Sequence, residues 1–116
     1  MPAATHDILI EQGATFKLGL VWKGETGVPI NLSGYSARMQ ARASVTAAEV
    51  LLDLTSANGA ITLGGASGTI DIKISASLTA GLTAARGVYD LELVSADGDV
   101  TRLIQGAFSV SKEVTR

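Results

Sequence analysis

His6 is the one histidine in the chain, and it stands beside Asp7 in a polar N-terminal segment. A general base needs a hydroxyl, a thiol or a second ligand held against it. Nothing in the sequence specifies that partner, so His6 reads as an exposed terminal side chain. There is no cysteine, which excludes thiolate catalysis, disulfides and Cys-based zinc sites. No serine sits in a Gly-x-Ser-x-Gly elbow. Gly64-Gly65-Ala66-Ser67-Gly68 has the glycines of a phosphate loop, but neither the following Lys-Ser/Thr nor a helix behind it, and a β-turn is expected. Asp97-Gly98-Asp99 opens like a calcium loop, yet no bidentate Glu follows at the needed distance. Asp71, Asp90 and Glu92 are expected on the exposed faces of different strands, as solvated charge. No catalytic residue, cofactor or metal ligand is assigned, and an enzyme is not expected.

The remaining polar group of interest is Arg38, Gln40 and Arg42. Their spacing of two puts them on one face of one strand, away from the apolar side. Arg is enriched at protein contacts, so this trio is the candidate partner interface, with an ordinary solvated strand face as the alternative.

The elements that carry these residues are read from a period of two. Phe16, Leu18, Leu20 and Trp22 alternate with Lys17, Gly19 and Val21. The same holds for Tyr35, Ala37, Met39 and Ala41, for Ile70, Ile72 and Ile74, and for Tyr89, Leu91 and Leu93. Successive strand side chains point to opposite faces, so each run has a buried and a wet side. Turn signals separate the runs: Lys23 to Gly27, Asn58-Gly59, Gly64 to Gly68, and Asp97-Gly98. The Asn58-Gly59 and Asp97-Gly98 steps are the strongest hairpin indicators. Pro29 fits the edge of a loop, where its missing N–H is harmless. Ser77 to Thr83 predicts a single helical turn ended by Gly81, and Val45 to Glu49 a short helix or loop.

Seven or eight short strands with turns about every 10 residues predict a β-sandwich or a small barrel. The expected core holds Phe16, Leu18, Leu20, Trp22, Tyr35, Ala37, Met39, Leu52, Leu54, Ile61, Leu63, Ile70, Ile72, Ile74, Leu82, Tyr89, Leu91, Leu93, Phe108 and Val110. Trp22 is expected to face Tyr89 across two sheets, with the Tyr hydroxyl tied to a loop carbonyl.

The 116 residues make one domain, 1–116, with short polar arms at both ends. Those arms, Pro2 to His6 and Ser111 to Arg116, either fray or add a strand to a neighbour's sheet. The formal net charge of −2 gives no footprint for nucleic acid. Met1 to Asp7 has neither a basic nor an apolar region, and no apolar run reaches membrane-spanning length, so no secretory signal and a soluble protein are expected.

The order of certain residues resembles a known family. Glu11 to Phe16 leads to Leu20-Val21-Trp22-Lys23, then to Gly27-Val28-Pro29-Ile30-Asn31-Leu32-Ser33-Gly34-Tyr35. Gly68-Thr69-Ile70-Asp71-Ile72, Leu78-Thr79-Ala80, Gly87-Val88-Tyr89-Asp90-Leu91-Glu92-Leu93 and Gly106-Ala107-Phe108-Ser109-Val110 follow. This is similar to the small immunoglobulin-like domain of tailed-phage virion proteins, as at the N-terminus of upper baseplate proteins. The resemblance runs from Ile8 to Val110. It implies an all-β, immunoglobulin-like antiparallel β-sandwich with one short helical turn.

For function, the resemblance implies a virion structural protein, assembled in the host cytoplasm, that docks on tail, baseplate or fibre-junction proteins. Its partners would be other virion proteins and further copies of itself in a symmetric array, with no nucleic acid and no membrane. The alternative is a decoration (cement) protein on the phage head. A carbohydrate-binding module fits less well, because the chain is only 4% aromatic and sugar platforms need exposed rings.

Overall fold

A computed structural model describes residues 3–83 and 86–115. The strands are β1 (Ala4–Thr5), β2 (Ile8–Glu11), β3 (Phe16–Val21), β4 (Ser36–Arg42), β5 (Leu52–Thr55), β6 (Ile61–Leu63), β7 (Thr69–Ile74), β8 (Arg86–Val94) and β9 (Val100–Ser111). A 3-10 turn, Gly65–Ser67, precedes β7, and one short helix, α1 (Ala76–Ala80), follows it. The strands form a six-stranded sheet in the order β1-β9-β8-β4-β5, with β2 also on β9, and a three-stranded sheet β3-β7-β6. This is a two-layered β-sandwich with the immunoglobulin strand order. The strands β4, β8 and β9 occupy the C, F and G places, and β3, β7 and β6 the B, E and D places.

Alternation builds the core. On β4, Ala37, Met39 and Ala41 are buried, and on β8 Tyr89, Leu91 and Leu93 are buried. Ile70, Ile72 and Ile74 of β7 meet them from the other sheet, and Phe108 and Val110 close one end. Each inward residue has an outward neighbour, so the pleat removes apolar surface from water without burying charge.

The first strand departs from all-antiparallel pairing. Both β1 and β2 run parallel to β9, with Ala4 opposite Ile104 and Ile8 opposite Phe108. The register is unchanged across the break at His6 and Asp7, so the segment is one interrupted strand. At the break, Asp7 Oδ1 accepts the Ala107 N–H at 2.9 Å, replacing a ladder carbonyl. Gly106 makes this possible, because a Cβ there would run into the His6 carbonyl. The N-terminal arm therefore extends the chain's own sheet from Ala4 onward, and Ile8 and Ile10 join the core.

Moving the first strand onto β9 leaves β3 at the rim of the small sheet. Phe16, Leu18, Leu20 and Trp22 point inward as expected, but they are half-buried rather than enclosed. Trp22 does not meet Tyr89. Its ring packs edge-on against Tyr35, with centroids 6.1 Å apart and planes at 88°. Both rings lie over the loop end of the sandwich, whereas Tyr89 sits in the middle of β8. The enclosed side chain near Trp22 is Leu32, 2% exposed, whose N–H donates to Gly65 O at 2.9 Å.

Of the two expected hairpin turns, one holds and one needs revision. Asp97-Gly98 closes a true β8–β9 hairpin, with Gly98 at φ +90°. Asn58-Gly59 does not close a hairpin, because β5 and β6 belong to different sheets. The Asn58 side chain supplies the bonds a partner strand would. Its Oδ1 accepts from the N–H groups of Thr55 (3.1 Å) and Ala60 (3.0 Å), and its Nδ2 donates to Asp53 O (3.2 Å). The helical turn is capped by Ser75, whose Oγ accepts the Leu78 N–H at 3.3 Å, and it ends at Gly81. Thr79 within it is fully buried and rivets the β2–β3 turn, accepting from Gly13 N–H at 3.0 Å and donating to Ala14 O at 2.8 Å. Residues 43–50 form a loop, not a helix.

Leu32→Ala is expected to cost about 2–5 kcal/mol, the range for a buried leucine. Trp22→Ala should cost less, about 1–3 kcal/mol, because its ring is half-exposed and loses mainly one aromatic contact. Urea denaturation of both variants checks this order. A Trp22 loss exceeding the Leu32 loss contradicts it.

Candidate functional site

The outer face of the six-stranded sheet carries an open groove of about 540 Å³. Its floor is β4, β8 and β9, and its rims are Thr5 on β1 and Val45 in the loop after β4. Arg38, Gln40 and Arg42 lie on this face, with the expected spacing along β4. The register lines up neighbours the trio does not itself reveal. Arg38 stands opposite Glu92 on β8, and Glu92 opposite Arg102 on β9. The next row reads Asp53, Gln40, Asp90, Gln105 and Thr5 across five strands.

Arg102 reaches this face through a β-bulge. On β9 the inward residues are Val110, Phe108 and Ile104, and strict alternation would turn Arg102 inward as well. The register slips between Leu91 and Glu92, inserting Leu103 as an extra residue. That resets the parity and points Arg102 outward. Its Nε lies 3.5 Å from Asp90 Oδ2, and its Nη1 lies 3.3 Å from Gln105 Oε1.

The other arginines have distinct jobs. Arg38 Nε donates to Glu92 Oε1 at 2.7 Å. Arg42 turns along the sheet, donating from Nη1 to the Ala47 and Ala48 carbonyls (2.9 Å each) and from Nη2 to Gln40 Oε1 (2.9 Å). Arg42 is thus a clamp on the 43–50 loop that forms one rim, and Arg38 is the most exposed member of the trio. These ion pairs are exposed and worth little to stability, about 0–1 kcal/mol each. Their effect is to hold alternating charge in a fixed pattern on a rigid floor.

Asp90 and Glu92 share β8 and its outer face, two residues apart, so they are not on different strands. Asp71 is on the other sheet. Among the described residues no three His, Asp or Glu side chains gather as a cation cage. The buried hydroxyls of Thr79 and Tyr89 are bonded to backbone groups, not to an imidazole or a carboxylate.

Beneath one rim lies the expected tyrosine anchor, with a different partner strand. Tyr89 is buried, and its hydroxyl donates to the His6 carbonyl at the interruption of the first strand. Burial of the ring, then the Asp7 carboxylate nearby, pushes the phenol up from 10.0 to about 12. The pair fixes the kinked strand that forms the Thr5 rim.

No protein-family model matches the chain, and no curated protein does. A solved structure of similar shape is the extracellular domain of the voltage-gated sodium channel β4 subunit, described as a parallel homodimer in cell-cell adhesion. It matches 98% of this chain and 97% of its own, at 16% identity and a TM-score of 0.49. The sandwich assignment rests on the strand order above, and no partner or role is carried over from that domain.

Tyr89→Phe leaves the His6 carbonyl without its donor and should cost about 0.5–1.5 kcal/mol at neutral pH. The folded phenol titrates near 12 and the unfolded one near 10.0, so between them the folded chain holds the extra proton. Stability from this group is complete below the lower value and is lost as pH rises through the higher. Denaturant melts from pH 8 to 12 should show the wild-type advantage shrinking above 10. An advantage that stays constant contradicts the assignment.

Proposed function

We propose that this chain is a non-enzymatic docking module, a structural protein of a tailed-phage virion that attaches at the tail, baseplate or fibre junction. The observation that carries the docking part is the outer sheet face. It offers a broad groove beside a row of alternating charge, Arg38, Glu92 and Arg102, held in register across three strands with β8 at the centre. Such a surface recognises a complementary protein face by pattern and shape, because the strands fix its geometry before contact. The wall residue Val45, 84% exposed, gives the groove an apolar contact beside the charges.

The virion part is supported by the motif from Gly27 to Tyr35. The Gly24 and Gly27 turn brings Pro29 back to Lys23, and Asn31 Oδ1 accepts the Ser33 N–H at 3.0 Å. Leu32 then plugs the end of the core, and Tyr35 packs on Trp22. These residues, which carry much of the phage resemblance, thus build one cap over the sandwich.

Immunogold labelling or cryo-EM of purified phage particles, using the phage that encodes this chain, tests the reading. Density or label at the tail or baseplate is expected. Label confined to capsid facets, or a chain absent from the particle, contradicts it.

A further inference from the structure

We propose that β3 is a docking edge for a second copy of this chain, with the two β3 strands paired antiparallel about a twofold axis at Leu18. That edge is separate from the groove and independent of the virion reading.

The edge is open in a specific way. Phe16, Leu18 and Leu20 stand opposite Ile74, Ile72 and Ile70, and Trp22 N–H donates to Gly68 O at 2.9 Å. Even-numbered residues therefore turn their backbone groups toward β7, and Lys17, Gly19 and Val21 turn theirs outward. Among the described residues no strand covers that side. On the core side, Phe16, Leu18 and Leu20 remain half-exposed for the same reason. An uncovered edge with apolar side chains behind it is a template for another strand.

The occupant follows from charge and register. Lys17 and Lys73 face each other directly, a repulsive cross-strand pair. The ion pairs among the described residues are Arg38–Glu92 and Arg102–Asp90, so neither lysine has an acidic partner there, and nor has Asp71 a basic one. Asp71 stands opposite Gly19, which has no side chain to fill the space beside it. With Leu18 on the axis, Lys17 of each copy lies opposite Gly19 of the other. Asp71 is then one strand further, about 9.6 Å away at the backbone. Lysine reaches that far across the bare glycine. Both copies form the same pair, as a twofold requires.

On the core side this register sets Phe16 against Leu20 and Leu18 against Leu18, covering the half-exposed faces. A register centred on Gly19 instead puts Lys17 beside Val21 and Thr69, where no acid waits. One strand pair buries less than a standard interface, so the dimer is weak and concentration-dependent.

The test uses the full chain, whose lack of cysteine gives a clean background. The two Leu18 residues form a non-hydrogen-bonded pair with Cα atoms about 4.5 Å apart, within disulfide reach. Under mild oxidation Leu18→Cys should cross-link at least about tenfold faster than Leu20→Cys, whose Cα atoms lie beyond the ~7 Å limit. In sedimentation, Lys17→Asp should raise the dimer dissociation constant at least about tenfold. Adding Asp71→Lys to it should restore the dimer, with circular dichroism showing each variant folded. Arg38→Glu with Arg102→Glu, on the groove face, should leave cross-linking unchanged. Equal or absent cross-linking, loss through the groove variant, or a charge swap that fails to restore the dimer each overturns the proposal.

Discussion

The parallel ladder between the first strand and β9 decides which surfaces of this sandwich are closed and which stay open. A strand leaving Glu11 for β3 could lie beside β3 or beside β9, and the side chains at the break select β9. Gly106 admits the His6 carbonyl, Asp7 supplies the missing acceptor for Ala107, and Tyr89 reaches up to hold the strand there. Two hydrogen bonds and one steric allowance at a single point thus commit a whole segment. The six-stranded sheet gains a rim and Ile8 and Ile10 gain burial, while β3 loses the neighbour it would otherwise have.

The two outer surfaces follow from that commitment. The large sheet becomes wide enough to carry a groove with Thr5 at one side and the Arg42-clamped loop at the other. Its charges sit in rows because cross-strand register puts Arg38, Glu92 and Arg102 side by side, once the Leu103 bulge has turned Arg102 outward. The small sheet is left narrow, with a bare glycine, an unmatched lysine and an unmatched aspartate near its open rim. Both surfaces suit contact with other proteins, through side-chain pattern in one case and backbone pairing in the other.

Most strands were legible because alternation is a local property. Ala37, Met39, Leu91 and Ile72 announce their burial through their neighbours, and the trio Arg38, Gln40 and Arg42 could be put on one face by spacing alone. What failed was decided by partners far along the chain. Phe16 to Trp22 has the pattern of a central strand, and no local residue says that its neighbour has gone to β9. Asn58-Gly59 has hairpin chemistry, but the sheet to which each flanking strand belongs is a tertiary matter. Trp22 was matched to Tyr89 by size, whereas the loop brings Tyr35 closer. Leu32 and Ile104 were missed because the first lies in a loop and the second beside a bulge, where period two breaks. Arg102 could have been found only through that bulge.

The most direct measurement is amide hydrogen exchange along β3 in dilute solution, where copies are apart. With the first strand on β9, the amides of Lys17, Gly19 and Val21 face water and should exchange nearly as fast as an open chain. Those of Leu18 and Leu20, bonded to β7, should be protected. Equal protection at all five positions would mean that another strand of the same chain covers β3, and would contradict an edge left open by the first strand's move to β9.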